Sequence, residues 1–252
     1  MADRTALVTG STRNIGRGIA LLLAEAGVTV AVNGRDNVEV DATVRAIQEA
    51  GGHALAAAGD VSDQTAVERL VGRILEQRPV VDILVSNAVD RAFGGVTDLD
   101  LHDFHRSMDV VVDGALHCVR AVVPGMRDRG WGRIVTIAGL TGQRGAAGHL
   151  VTATTKSGLI GMSKSLAHEL GPSGITVNVV SPGVIDTDRP AVRGDPEGAR
   201  EHYRRVEEAV KQIPLGRMGT IREVAAVTAF LCSDDAGFVS GQVVGVNGGA
   251  YT

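Results

Sequence analysis

The segment ALVTGSTRNIGRGIALLLA, residues 6–24, joins a short apolar run, Ala6–Thr9, through a glycine-marked turn to a helical pattern that opens at Ile15. Strand, turn and helix in this order make the first unit of a parallel α/β series, because a right-handed crossover returns the chain to a parallel neighbour. Gly10 and Gly16 let backbone N–H groups come close to a phosphate, and the helix N-terminus lends that spot partial positive charge. A glycine turn alone is a weak signal. Between a first strand and a first helix it gains weight.

The same rhythm runs outward to the end of the chain. Apolar, β-branched runs predict strands at Ala6–Thr9, Thr29–Asn33, Ala54–Ala57, Ile83–Ser86, Ile134–Ile137, Thr176–Val180 and Val243–Val246. Helical periodicity between them predicts helices at Ile15–Ala26, Val38–Ala50, Asp63–Gln77, Leu101–Arg129, Leu150–Leu170 and Ile221–Leu231. The expected fold is α/β: residues 1–252 as a single Rossmann domain, a doubly wound seven-stranded parallel sheet with helices on both faces. Such sheets bind ligands beyond the carboxyl ends of their strands. Residues 186–214 break the rhythm with Asp, Arg, Gly and Pro, plus a short helical stretch at 200–210, and read as a substrate lid or a solvated excursion.

Composition narrows the function classes. The 252 residues carry a formal charge of −4 with both signs interspersed, which gives no basic stripe for nucleic acid and no polybasic patch for a membrane. Apolar runs are too short to cross a bilayer, and the start of the chain lacks the pattern of a signal peptide. Cys118 and Cys232 lie far apart without metal-ligand spacing, and His102 and His105 have no accompanying ligand loop, so no metal is expected. A soluble cytoplasmic protein acting on a small molecule is the expectation.

The second strand ends in Asn33-Gly34-Arg35, where an NAD-preferring protein usually places a carboxylate for the ribose 2′-hydroxyl. Arg35, with Arg13 of the first loop, instead suits the 2′-phosphate of NADP(H). Asp36, one residue further on, leaves the NAD alternative open.

Thr9–Gly16, Gly59-Asp60-Val61, Ser86-Asn87-Ala88, Ser181–Thr187 and Gly241 through Gly249 resemble, in order and spacing, the serial motifs of short-chain dehydrogenases/reductases. The resemblance implies that Gly10, Thr12, Arg13, Asn14, Ile15 and Gly16 cradle the pyrophosphate, and that Asp60 and Val61 border the adenine. It further implies that Asn87 and Ala88 lie under the ribose, that Lys156 holds the nicotinamide ribose, and that Pro182, Gly183, Ile185 and Thr187 flank the nicotinamide. A homotetramer is implied too. Asn14 stands where the family has glycine, and Asn is the side chain that best tolerates a left-handed backbone.

The catalytic pattern departs further. The family places a Tyr four residues before the Lys, a Ser thirteen before that Tyr, and an Asn on the preceding helix. The matching residues here are Thr152, Gly139 and Val111, with Lys156 retained. Val111-Val112-Asp113-Gly114 with Thr152 and Lys156 partly resembles the 2,4-dienoyl-CoA reductases, whose catalytic Tyr would match Thr141. Asp113 could order water or, if buried, donate a hydrogen bond, although a solvated helix carboxylate is the stronger reading. His149, three residues before Thr152 and seven before Lys156, would share their face on a continuous helix and could protonate an enolate. Tyr203, in the expected lid, is a further phenol.

Three functions remain open from sequence. One is an NADPH-dependent reductase with altered acid/base residues, acting on a conjugated or otherwise activated carbonyl. The second is a non-redox cyclase, isomerase or dehydratase on the same scaffold. The third is a nucleotide-binding protein without turnover.

Overall fold

A computed structural model describes residues 1, 3–92, 94–188 and 206–252. Seven strands, β1 (Thr5–Val8), β2 (Thr29–Val32), β3 (His53–Ala56), β4 (Ile83–Ser86), β5 (Gly132–Ile137), β6 (Ile175–Pro182) and β7 (Val243–Val246), pair in parallel in the order β3-β2-β1-β4-β5-β6-β7. Every residue of β1, β2, β4, β5 and β6 is buried, as strands covered on both faces require. Among the described residues the helices are α1 (Asn14–Glu25), α2 (Asn37–Glu49), α3 (Gln64–Leu75), α4 (Leu101–Met108), α5 (Gly114–Arg129), α6 (Leu140–Arg144), α7 (Leu150–Leu170) and α8 (Ile221–Leu231), with a further helical stretch at 206–210.

Alternation along β1 splits the core into two layers. Ala6 and Val8 join Ile19, Leu23, Val40 and Val224 of α1, α2 and α8. Leu7 points the other way, into Val67, Leu70, Val119 and Val122 of α3 and α5. Leu7, Ile19, Leu23 and Leu70 are fully buried, each contributing about 1.5–3 kcal/mol of transfer free energy. Gly18 lets α8 close on α1, since a Cβ there would overlap the Ile221 side chain. The strand order reverses between β1 and β4, which opens the ligand crevice at their carboxyl ends.

Two expectations are corrected. The helix expected over Leu101–Arg129 is divided: Asp109–Asp113 winds as a π-turn between α4 and α5. The short α6 after β5 was not anticipated. The expected lid, with Tyr203 and most of the stretch at 200–210, lies largely outside the described residues. No helix among the described residues is long and apolar enough to cross a membrane. Cys118 and Cys232 are buried, and burial pushes both thiols up to about 12, so neither is a nucleophile near neutral pH.

Candidate active site

The loop after β1 is built from glycine geometry and a polar network. Gly10 takes φ +58° and Asn14 φ +49°, the left-handed conformation expected of it. A Cβ on Gly16 would overlap the Gly10 carbonyl oxygen. Thr9 Oγ1 accepts from the backbone N–H groups of Asn87 (2.9 Å) and Ala88 (3.0 Å). Asn87 Nδ2 in turn donates to the carbonyl oxygens of Thr9 and Gly10, each at 3.0 Å. The β1 and β4 loops thus hold one another at the point where strand order reverses, with Ile15 and Gly16 opening α1 beside them.

Asn33, which the sequence reading did not single out as a site residue, links three loops. Its Nδ2 donates to the carbonyl oxygens of Ala57 (2.9 Å) and Gly59 (3.1 Å), and its Oδ1 accepts from Gly10 N–H at 3.4 Å. A buried polar residue ending a strand was the signal. Arg13 and Arg35 are both exposed, and neither side chain has a hydrogen bond or ion pair among the described residues. Asp36 is engaged as the N-cap of α2, accepting from Val38 N–H at 2.7 Å and Glu39 N–H at 3.3 Å. Its carboxylate therefore serves the helix. Thr12 Oγ1 donates to Glu39 Oε2 at 3.0 Å. A left-handed glycine loop too tight for a Cβ, with exposed Arg13 in that loop and exposed Arg35 after β2, fits a dinucleotide carrying a 2′-phosphate.

Further along the crevice, Asp60 Oδ1 accepts from Ser62 N–H (3.0 Å) and Oγ (2.8 Å), and Val61 is buried against Gly114. His117 Nδ1 lies 3.0 Å from the Val61 carbonyl oxygen. Beyond β6, Gly183 N–H donates to Val246 at 3.0 Å, and a Cβ at 183 would come within 2.9 Å of Asn247 Cα. Gly219 N–H donates to Val184 and Asp186 N–H to Gly219, each at 2.9 Å, which fixes Pro182 through Ile185. Ile185 is buried and Thr187 half-buried.

At the catalytic end, Lys156 on α7 is 6% exposed, and its Nζ donates to the Ile137 carbonyl oxygen at the end of β5, 2.7 Å away. Burial, and then the Arg91 guanidinium, push its pKa down to about 7. Gly142 of α6 packs on Lys156 so closely that a Cβ there would meet Lys156 Cβ at 2.6 Å. Thr152, one turn earlier on α7, has its Oγ1 buried without a partner among the described residues. Gln143 Oε1 on α6 and Ser181 Oγ at the end of β6 share that condition. Arg91 was missed because its effect on Lys156 arises from tertiary packing.

The other expected catalytic residues are placed differently. His149 is half-buried and is the N-cap of α7, at φ −116° and ψ 25°, so it flanks the helix rather than continuing the Thr152–Lys156 face. A parallel bridge joins it to Gly94, beside the Gly94 N–H bond to the Gly148 carbonyl oxygen at 3.2 Å. Asp113 is exposed at the end of the π-turn, so the buried hydrogen-bond donor considered for it is not formed. Val111 is buried with Ala115 and Leu159, an apolar contact between the π-turn and α7 where the family has its Asn. Thr141 is half-buried on α6, and Tyr251 is exposed near the C-terminus.

Comparison with known proteins agrees with this architecture. The family model described as enoyl-(acyl carrier protein) reductase matches residues 10–251. A 3-oxoacyl-[acyl-carrier-protein] reductase, FabG, of Aquifex aeolicus is 37% identical, covering 100% of this chain and 98% of that protein. An acetoacetyl-CoA reductase of Rhizobium meliloti is 38% identical over 99% of both. Among solved structures, YwfH, an NADPH-dependent reductase involved in bacilysin biosynthesis, superposes with a TM-score of 0.91 at 27% identity, covering 100% of this chain and 99% of that one. A putative NAD(P)-dependent gluconate 5-dehydrogenase from Beutenbergia cavernae, with bound NADP, gives 0.89 at 33% identity, covering 99% and 97%. The chain belongs to the short-chain dehydrogenase/reductase family, whose members are NAD(P)-dependent oxidoreductases.

Proposed function

We propose that this protein is an NADPH-dependent reductase of a conjugated carbonyl compound, an enone or enoyl thioester, working with an acid/base set altered from that of its family. Thr152 carries the reading: a buried hydroxyl without a partner among the described residues stands one turn from buried Lys156, where the family has a phenol. Arg13 and Arg35 support NADPH, as do the NADPH and NADP named for the two similar structures. The thioester reductases among the relatives support an activated acyl substrate. The same reading takes residues 1–252 as one domain that works as a cytoplasmic homotetramer on a small molecule, without nucleic acid or membrane.

Bound NADPH supplies a hydride. An aliphatic hydroxyl is far less acidic than a phenol, whose reference pKa is about 10, so Thr152 serves poorly as the acid that protonates a ketone oxygen. Conjugate reduction asks less of it. The new C–H bond forms at the β-carbon, the π electrons move onto the carbonyl oxygen, and that enolate oxygen needs hydrogen bonds rather than an immediate proton. Thr152 Oγ1 donates to the oxygen, and protonated Lys156 adds positive charge. With a pKa of about 7, Lys156 also exchanges its proton near neutral pH. His149, at the N-cap of α7, is the proposed source of the proton that completes the α-carbon.

The test is NADPH oxidation with an enoyl thioester and with its matched 3-oxoacyl thioester. The enoyl substrate is expected to react at least about tenfold faster, roughly 1.4 kcal/mol in barrier. Equal or faster oxidation with the 3-oxoacyl compound contradicts the proposal.

A further inference from the structure

The loop after β1 reaches across to the chain that follows β6. Asn14 Nδ2 donates to the Asp188 carbonyl oxygen, and Asp188 N–H donates back to Asn14 Oδ1, both at 2.9 Å. β1 and β6 are not neighbours, because β4 and β5 lie between them. At about 4.8 Å per strand, three spacings separate the two by roughly 14 Å. The two bonds therefore span the crevice at the carboxyl ends of β4 and β5, which lead into Asn87 and Gly139.

The conformation of Asn14 makes this contact specific. At φ +49° the backbone is one that glycine adopts freely and other residues adopt at a cost. The turn alone would be served by glycine. What asparagine adds is an amide with one donor and one acceptor, matched here to the acceptor and donor of one peptide residue. Aspartate would keep only the acceptor.

We propose that Asn14 is a positioning residue for the dinucleotide, its amide strapping the chain after β6 across the crevice and slowing cofactor release. The proposal rests on the NADPH reading above. Because the strap ties the two sides of the crevice together, its loss changes how fast the cofactor leaves more than how fast it arrives.

The test uses the full-length chain and its Asn14→Gly and Asn14→Asp variants. NADPH dissociation is followed by stopped-flow fluorescence, and amide exchange at Asp188 is measured in the cofactor-free protein. Asn14→Gly is expected to raise the dissociation rate roughly five- to tenfold, from two hydrogen bonds of modest net value, and to speed Asp188 exchange. Its melting temperature changes little, since relief of the left-handed turn offsets much of the two lost bonds. Asn14→Asp falls between the two. If wild type binds NADPH and Asn14→Gly releases it at the wild-type rate, the strap is refuted while the cofactor reading stands. If wild type binds no NADPH, both fall.

Discussion

Lys156 Nζ donates to the carbonyl oxygen of Ile137 at 2.7 Å, tying the middle of α7 to the carboxyl end of β5. The ammonium is otherwise enclosed: burial, reinforced by Arg91, brings its pKa from 10.5 down to about 7. Between those values the unfolded chain holds one more proton than the folded chain, so stability rises with pH across that window. The penalty is full below about pH 7 and gone above about 10.5. Denaturant unfolding of the cofactor-free protein at several pH values from 6 to 10, beside Lys156→Met, checks this. The stability of wild type relative to Lys156→Met is expected to rise by about 4 kcal/mol over that range. A difference that stays constant contradicts the buried, titrating lysine.

Restoring the family's hydroxyl groups tests what the site has lost. Gly139 has an extended φ of 161°, and the nearest atom to an added Cβ is the Pro182 carbonyl oxygen at 3.9 Å, so Ser is accommodated there. Gly139→Ser with Thr152→Tyr is expected to raise ketone reduction by about a hundredfold, the lower end of what a positioned general acid contributes. Measured kcat/KM with a simple ketone and NADPH checks it.

Much of this was legible from sequence for a local reason. The buried strands are short β-branched runs, and the phosphate loop declares itself by Gly10, Gly16 and the αL-tolerant Asn14. Other features depend on partners distant in sequence. DVVVD at 109–113 reads as ordinary α-helix, and its π winding appears where the segment packs against α7. LTGQR at 140–144 is too short to announce a helix, and Gly142 is understood only once Lys156 is found against it. His149 shows the opposite case: its spacing suits the catalytic face, but α7 begins one residue later, so helical periodicity does not direct its side chain.

Arg35→Asp is expected to lower the preference for NADPH over NADH by at least about tenfold, since it replaces a charge-assisted hydrogen-bond donor for the 2′-phosphate with a carboxylate suited to a ribose hydroxyl. Dissociation constants for both cofactors, measured by fluorescence titration, provide the check. Unchanged selectivity removes Arg35 from the nucleotide site.

Asn87→Ala removes two side-chain bonds to the Thr9 and Gly10 carbonyl oxygens. A loss of about 2 kcal/mol in stability is expected, together with weaker NADPH binding, because the loop expected to carry the pyrophosphate is no longer tied to β4. Denaturant unfolding and cofactor titration report the two effects separately.

The most direct test of the central claim is where the hydride lands. A cyclic enone is incubated with the enzyme and NADPH deuterated at the transferring position of the nicotinamide, and the product is read by NMR. Conjugate reduction predicts deuterium on the β-carbon of a saturated ketone. Deuterium on a carbinol carbon, with the double bond intact, would show ordinary carbonyl reduction and contradict the role given to Thr152.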